Sequence, residues 1–289
     1  MASITRWHRA RNASPDLPRR DRAARRRRHL AGLALSLTLV TGCAGNRVTA
    51  LVERHELTPA TVLGGPFRHQ LFLNRHPGQV LHVYLEGDGK AWVNAHSIAR
   101  DPTPDRPLML ELLTLDPAPA IYLGRPCYYR TGDARCGPQW WTDRRYSEAV
   151  VASLDRVIDR FARDYRAIAL FGHSGGGTLA MLLAARRTDV RAVVTLAGNL
   201  DIDAWAALHG YTPLRGSLNP RRQAPLSPAI HQAHYIGTAD RVITAALLRQ
   251  ALGPQQRDTL RVVPGYDHAC CWRDIWPAVL SGMDAGPAP

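Results

Sequence analysis

The chain lacks most of the features that announce a metal, redox or nucleotide-binding protein. It has five cysteines in 289 residues and no Cys-x-x-Cys pair, so the spacings of zinc ribbons and thioredoxin-type dithiols are missing. No Gly-x-x-x-x-Gly-Lys-Ser/Thr run occurs, which excludes a phosphate-cradling P-loop. No segment recurs with a 20–50 residue period, which excludes solenoids and propellers. The apolar run at residues 30–40 is about half of the ~20 residues that span a bilayer as a helix. Lysine is almost absent: Lys90 stands alone among 37 basic residues, and no function is read from that. With 45% apolar and 21% charged residues, the composition excludes a disordered, collagen-like or multi-span membrane protein.

The charge is unevenly placed. The formal net charge is +13, but residues 1–29 carry ten arginines against two aspartates, and the remainder has 27 basic and 22 acidic groups. A nucleic-acid binder needs a basic face on its folded part; an excess of five spread over 260 residues does not supply one, so no nucleic-acid partner is expected.

The arginine-rich arm runs into the apolar stretch Leu30–Val40 and then Thr41-Gly42-Cys43. A basic region, a short apolar core and small residues at the end make a secretory signal. Val40-Thr41-Gly42-Cys43 resembles the lipobox of bacterial lipoproteins, which implies cleavage before Cys43 and lipidation of that cysteine. Residues 1–42 are thus expected to be a signal peptide, 43–66 a tether, and the product a lipid-anchored protein of the cell envelope facing the periplasm. Export leaves four cysteines for an oxidising compartment. Cys127 and Cys136 flank a turn-rich segment and can close a small disulfide loop, worth about 2–3 kcal/mol by chain entropy. Cys270 and Cys271 are adjacent; they can form a vicinal disulfide, or one can pair elsewhere.

From residue 67 to the end, the pattern predicts one α/β domain. Apolar strand-like runs (70–74, 80–86, 120–123, 167–171, 190–197, 233–237, 259–263) alternate with helical spacings (107–115, 147–165, 176–187, 243–252, 271–283, the last interrupted near Pro277). Apolar, β-branched strands between helices indicate a mostly parallel sheet covered on both faces. Residues 199–228, rich in Pro, Gly and Asn, can form a cap or insertion.

The chemistry is read from three stretches. Ala167–Phe171 runs into Gly172-His173-Ser174-Gly175-Gly176 and then a helical pattern: this is Gly-x-Ser-x-Gly in its strand–turn–helix context, the sharp turn that lifts a nucleophilic serine above a sheet. Such a serine needs a base, and the base an orienting carboxylate, in the order Ser, Asp, His on loops after late strands. Asp240 follows the strand ending at Gly237, and His268 follows the strand ending at Val263. Rival acids are Asp201, Asp203 and Asp267; rival histidines are His173, His209, His231 and His234, the last two at an odd spacing that puts them on opposite faces of a strand. For the oxyanion, one N–H is expected from Gly175 and the other from Asp88, with Gly89 as runner-up, in the turn Glu86-Gly87-Asp88-Gly89 after an early strand.

On these residues the chain resembles the α/β-hydrolase superfamily over roughly residues 69–283. The resemblance implies the α/β-hydrolase fold and a serine hydrolase without metal or cofactor, in which Ser174, Asp240 and His268 are catalytic and Asp88 and Gly175 bind the oxyanion. Gly237-x-x-Asp240-x-Val242 is the commoner pattern for the acid in such proteins; Glu86 departs from the histidine that often stands there in lipases and esterases. A carboxylic-ester substrate, small or lipid-like, is the leading expectation, because the anchor sits beside lipid and Trp140, Trp141, Trp205 and Trp272 can line an apolar cleft. A peptidase or amidase of the same fold and a non-catalytic envelope lipoprotein are the alternatives, since the superfamily holds both.

Overall fold

The computed structural model describes residues 43–284; the expected signal segment lies outside them. The strand elements are β1 (Thr58–Gly64), β2 (Phe67–Leu73), β3 (Val80–Leu85), β4 (Trp92–Asn94), β5 (Ser97–Ile98), β6 (Ala120–Leu123), β7 (Ala167–His173), β8 (Val190–Leu196), β9 (His231–Gly237) and β10 (Leu260–Val263). The helices are α1 (Cys43–Arg54), α2 (Leu108–Leu113), α3 (Glu148–Ala162), α4 (Gly175–Ala184), α5 (Ile202–His209), α6 (Ala245–Leu252) and α7 (Trp272–Asp284). Eight strands form one sheet in the order β1-β2-β6-β3-β7-β8-β9-β10. The pairings β1–β2 and β2–β6 are antiparallel, and every pairing from β6 to β10 is parallel. Strands β4 and β5 make a separate hairpin.

Alternation along the strands builds two apolar layers. Leu81, Val83, Leu85, Ile168, Leu170 and Val193 face one layer with Val150, Val151, Leu154, Val157 and Ile158 of α3. Tyr84, Ala169, Phe171, Ala192, Val194 and Leu196 face the other, with α2, α6 and α7. The period of two along each strand sends neighbours to opposite faces, so a strand buried on both faces must be apolar throughout. Helix α3 has the expected stripe and the expected cap: the Ser147 hydroxyl accepts from the Val150 N–H. Phe171 and Trp276 pack with ring centroids 5.2 Å apart, edge to face.

Two features differ from the sequence reading. The segment 43–66, expected as a tether, contains α1 and β1, and β1 pairs along its length with β2. Pro59 is tolerated there because β1 is the sheet's edge, where one side of the strand needs no ladder N–H. Helix α7 runs through Pro277 without a break. The segment 199–228 holds α5 and a short 3₁₀ turn, Pro220–Arg222, between β8 and β9. Disulfides join Cys127 to Cys136 and Cys270 to Cys271. No helix among the described residues is long and apolar enough to cross a membrane.

His69 ties the antiparallel end of the sheet to α3. Its Nδ1–H donates to the Gly124 carbonyl (2.8 Å), and the Ser153 hydroxyl, whose one proton can go to either, lies within reach of both its Nε2 (2.7 Å) and the Gly64 carbonyl. Burial lowers its pKa to about 4, and burial lowers His173 to about 4 and His234 to about 3 in the same way. The folded state keeps these rings neutral, whereas the unfolded chain takes up protons near pH 6.5. Their contribution is therefore complete above pH 6.5 and is lost as pH falls toward 4, up to about 3 kcal/mol for a ring of this kind. The thermal midpoint of the wild type should drop steeply between pH 7 and 4.5. His69→Gln should start lower at pH 7.5 and fall less over the same interval; parallel curves would remove His69 from this account.

Candidate active site

The turn between β7 and α4 presents Ser174 at φ 51° and ψ −119°, a region that side-chain-bearing residues avoid and that survives only where the surroundings impose it. The surroundings here are backbone. Ser174 N–H donates to the Leu196 carbonyl (3.0 Å), and the Ser174 carbonyl accepts from the Gly177 and Asn199 N–H groups (3.0 Å each). A β-carbon on Gly172 or Gly176 would overlap backbone of α4 or β3, so strand and helix can close this tightly only with glycine at both positions. The serine sits over the N-terminus of α4, where helix N–H groups favour negative charge.

The structure brings the Asp240 and His268 side chains to this serine. His268 Nε2 lies 3.0 Å from Ser174 Oγ, and His268 Nδ1–H donates to Asp240 Oδ2 at 2.8 Å. The Asp240 side chain is fully buried, and its other oxygen accepts from the Val242 and Ile243 N–H groups at 2.8 and 2.9 Å. With both oxygens engaged, the carboxylate has one orientation, and it fixes the tautomer of the imidazole. The acid-bearing and base-bearing loops are cross-tied: Thr238 N–H donates to the Val263 carbonyl, Ala239 N–H to the Tyr266 carbonyl, and Gly265 N–H to the Thr238 hydroxyl.

The rival residues do other work. Asp267 accepts from the Ala269 and Cys270 N–H groups and shapes its own turn. Asp201 caps α5 by accepting from Ala204 N–H, and with Asp203 it also accepts from the Asn219 amide. His234 is buried beside the Thr195 hydroxyl; His231 begins β9, half-buried. His209 donates Nε2–H to the Val242 carbonyl (2.8 Å), tying α5 to the loop after Asp240. Trp272 is fully buried and Trp141 nearly so; Trp272 donates to the His268 carbonyl (3.2 Å).

His173 has a clearer role than its position inside the motif suggests. Its Nε2–H donates to the His268 backbone carbonyl at 2.7 Å, so the residue before the serine holds the loop that carries the imidazole. Burial, with the neighbouring His268, keeps it neutral. Its Nδ1 lies 3.8 Å from Glu86. The Glu86 carboxylate accepts from the Gly87 N–H (3.1 Å) and the Met109 N–H (2.9 Å), locking the end of β3 to the start of α2. Burial pushes its pKa up to about 7. The residue that departs from the lipase pattern is thus a structural strut beneath the turn at 87–89.

That turn lies against the serine: a β-carbon placed on Gly87 would sit 3.4 Å from the Ser174 Cβ. Asp88 follows, and its side chain is held in a way the sequence did not disclose. Arg125, Arg145 and Tyr146 converge on its carboxylate. Burial alone would raise this carboxyl, but the two guanidiniums and the tyrosine hydroxyl hold it well below the usual carboxylate range.

No protein-family model matches the chain, and no curated protein matches it in sequence. Solved structures match its shape. An esterase from Pyrococcus furiosus superimposes over 80% of this chain and 91% of its own, with a TM-score of 0.55 at 10% identity. An alpha-beta serine hydrolase homologue from Coxiella burnetii covers 80% of this chain and 97% of its own, with a TM-score of 0.50 at 11% identity. Puromycin hydrolase matches 81% of this chain, which spans 41% of that longer protein, with a TM-score of 0.54 at 14% identity. With the strand order β1-β2-β6-β3-β7-β8-β9-β10, its second strand antiparallel and the serine turn after β7, this chain has the α/β-hydrolase fold.

Proposed function

We propose that the protein is a serine hydrolase of the cell envelope that cleaves carboxylic esters through an acyl-enzyme. The observation that carries this reading is the relay from Asp240 through His268 to Ser174, at 2.8 and 3.0 Å, drawn from three separate strand ends onto a serine in a strained conformation. Each atom has a use in acyl transfer. Ser174 O–H donates to His268 Nε2, which takes the proton as Oγ attacks the ester carbonyl. His268 becomes an imidazolium facing the buried Asp240 carboxylate. The carbonyl oxygen becomes an oxyanion, received by the N–H groups of Gly175 and Asp88, where one donor is worth roughly 3–4 kcal/mol of transition-state stabilisation. His268 then returns the proton to the leaving alcohol, and water clears the acyl group by the same steps reversed. No cofactor enters this scheme.

Esters are favoured over amides because the lipobox at Val40–Cys43 would tether the enzyme at a lipid surface, where ester bonds are abundant. The same motif supports lipidation of Cys43 and a periplasmic face, and the two cysteine pairings suit an oxidising compartment.

A fluorophosphonate probe should label the wild type at Ser174 and leave Ser174→Ala unlabelled; absence of any adduct on the wild type would falsify the serine-hydrolase reading. Ser174→Ala and His268→Ala should lower turnover of a short-chain p-nitrophenyl ester by at least about 10⁴-fold, and Asp240→Asn by about 10³–10⁴-fold, with thermal midpoints close to the wild type for the two alanine variants. If p-nitroanilides are turned over faster than the matched esters, the substrate class is amide. Metabolic labelling with a palmitate analogue should mark the full-length protein and not Cys43→Ala; equal labelling of both would reject the anchor.

A further inference from the structure

Resting on the reading above, we propose that Arg125, Arg145 and Tyr146 are positioning residues for the oxyanion hole. They grip the Asp88 side chain so that the backbone of Asp88 is fixed against Gly175, and the Cys127–Cys136 loop holds the grip in place.

The contacts are dense and buried. Arg125 Nη1 donates to Asp88 Oδ1 at 2.5 Å and to the Gly87 carbonyl at 3.3 Å, and Arg125 Nη2 donates to the Arg145 carbonyl at 3.1 Å. Arg145 Nη1 donates to Asp88 Oδ2 at 2.8 Å, and its Nε to the Thr142 carbonyl at 2.6 Å. The Tyr146 hydroxyl lies 2.7 and 2.6 Å from the two carboxylate oxygens. The Tyr128 hydroxyl donates to the Asp88 carbonyl at 2.9 Å, and the Arg125 guanidinium lies over the Tyr128 and Tyr146 rings. The side chains of Arg125 and Arg145 are only 2% and 8% exposed.

This cluster differs from ordinary structural pairing in two ways. Burying two guanidiniums is costly, and apolar residues of similar volume often fill such a site with equal or greater stability; stability alone is a poor reason for it. Its location is the second difference. A β-carbon on Gly175 would overlap Asp88 Oδ1 and the Tyr146 hydroxyl, so the cluster touches both residues whose N–H groups are assigned to the oxyanion. It sets two guanidiniums against the Asp88 carboxylate, with the Glu86 carboxyl beneath the same turn, beside the point where negative charge would develop.

The loop that supplies Arg125 and Tyr128 is itself unusual. Cys127, Tyr129 and Arg130 all have left-handed backbone, at φ 70°, 60° and 48°, three non-glycine residues in four. Such a run persists only when it is over-determined. Here the Cys127–Cys136 disulfide, a Tyr129 N–H bond to the Thr103 hydroxyl (2.6 Å) and an Arg130 to Asp101 ion pair (2.7 Å) hold it.

The test uses the full chain and two readouts: steady-state turnover of a short-chain p-nitrophenyl ester, and the second-order rate of phosphonylation of Ser174 by a fluorophosphonate, each with a thermal midpoint to confirm folding. Asp88→Asn should lower kcat at least about 10-fold with KM within 2-fold, and slow phosphonylation by a similar factor. Arg145→Lys should retain more kcat than Arg145→Met at equal folded fraction. Tyr146→Phe, which removes one hydroxyl and should fold, should lower kcat about 3–10-fold. Cys127→Ser with Cys136→Ser should show the same split between kcat and KM. Folded variants that keep wild-type kcat and phosphonylation rate would overturn the proposal while leaving the serine-hydrolase reading intact. So would losses that merely track the unfolded fraction. A wild type that neither turns over ester nor reacts with the probe would overturn both, since the grip would then serve no oxyanion.

Discussion

One strained residue organises this molecule. Ser174 can hold a positive φ only because β7, β8 and α4 crowd it with backbone hydrogen bonds and because glycines flank it where no side chain fits. That crowding depends on the sheet. The carbonyl that receives the Ser174 N–H belongs to Leu196 at the end of β8, and the carbonyl of Ser174 is held by the first turn of α4 and by Asn199 beyond β8. The two apolar layers that clamp β7 are therefore also what hold the hydroxyl up. Strain of this kind is local in cost and global in origin.

Around that point the chain uses pairs of loops rather than single ones. The Asp240 and His268 loops brace each other, and His173 reaches from the serine turn to the His268 carbonyl. On the opposite side, Glu86 fixes the start of α2 to the end of β3, and the Asp88 turn is gripped from residues 125–128 and 145–146. Two guanidiniums close on a carboxylate on this second side, and on the first a buried carboxylate orients His268 while the neutral His173 ring holds the loop. Both arrangements exchange solvation for orientation, and the exchange is tolerable because nearly every polar atom involved has a partner.

Much of this was legible in the sequence, and for a physical reason. Ser174, Asp240 and His268 each follow an apolar, β-branched run by a few residues, and a parallel sheet places all such points on one edge. The fold followed from alternation of strand and helix patterns. What escaped the sequence reading had no local signal. Strand β1 carries Pro59 and opens on Thr58, which reads as a breaker until the strand is known to lie at an edge. Arg125 and Arg145 reach Asp88 across 37 and 57 residues, and in a chain with 37 basic side chains no single arginine stands out. Glu86 looked like a departure from a familiar turn; its use as a cap for Met109, 23 residues away, depends on a tertiary approach that no spacing encodes.

The cross-tied loops after β9 and β10 carry a consequence for how the molecule tolerates change. Because Thr238, Ala239 and Gly265 are stitched to the opposite loop, the carboxylate and the imidazole ride on one shared platform and cannot drift apart independently. A substitution in any one of these stitches would therefore be felt by the carboxylate and the imidazole together.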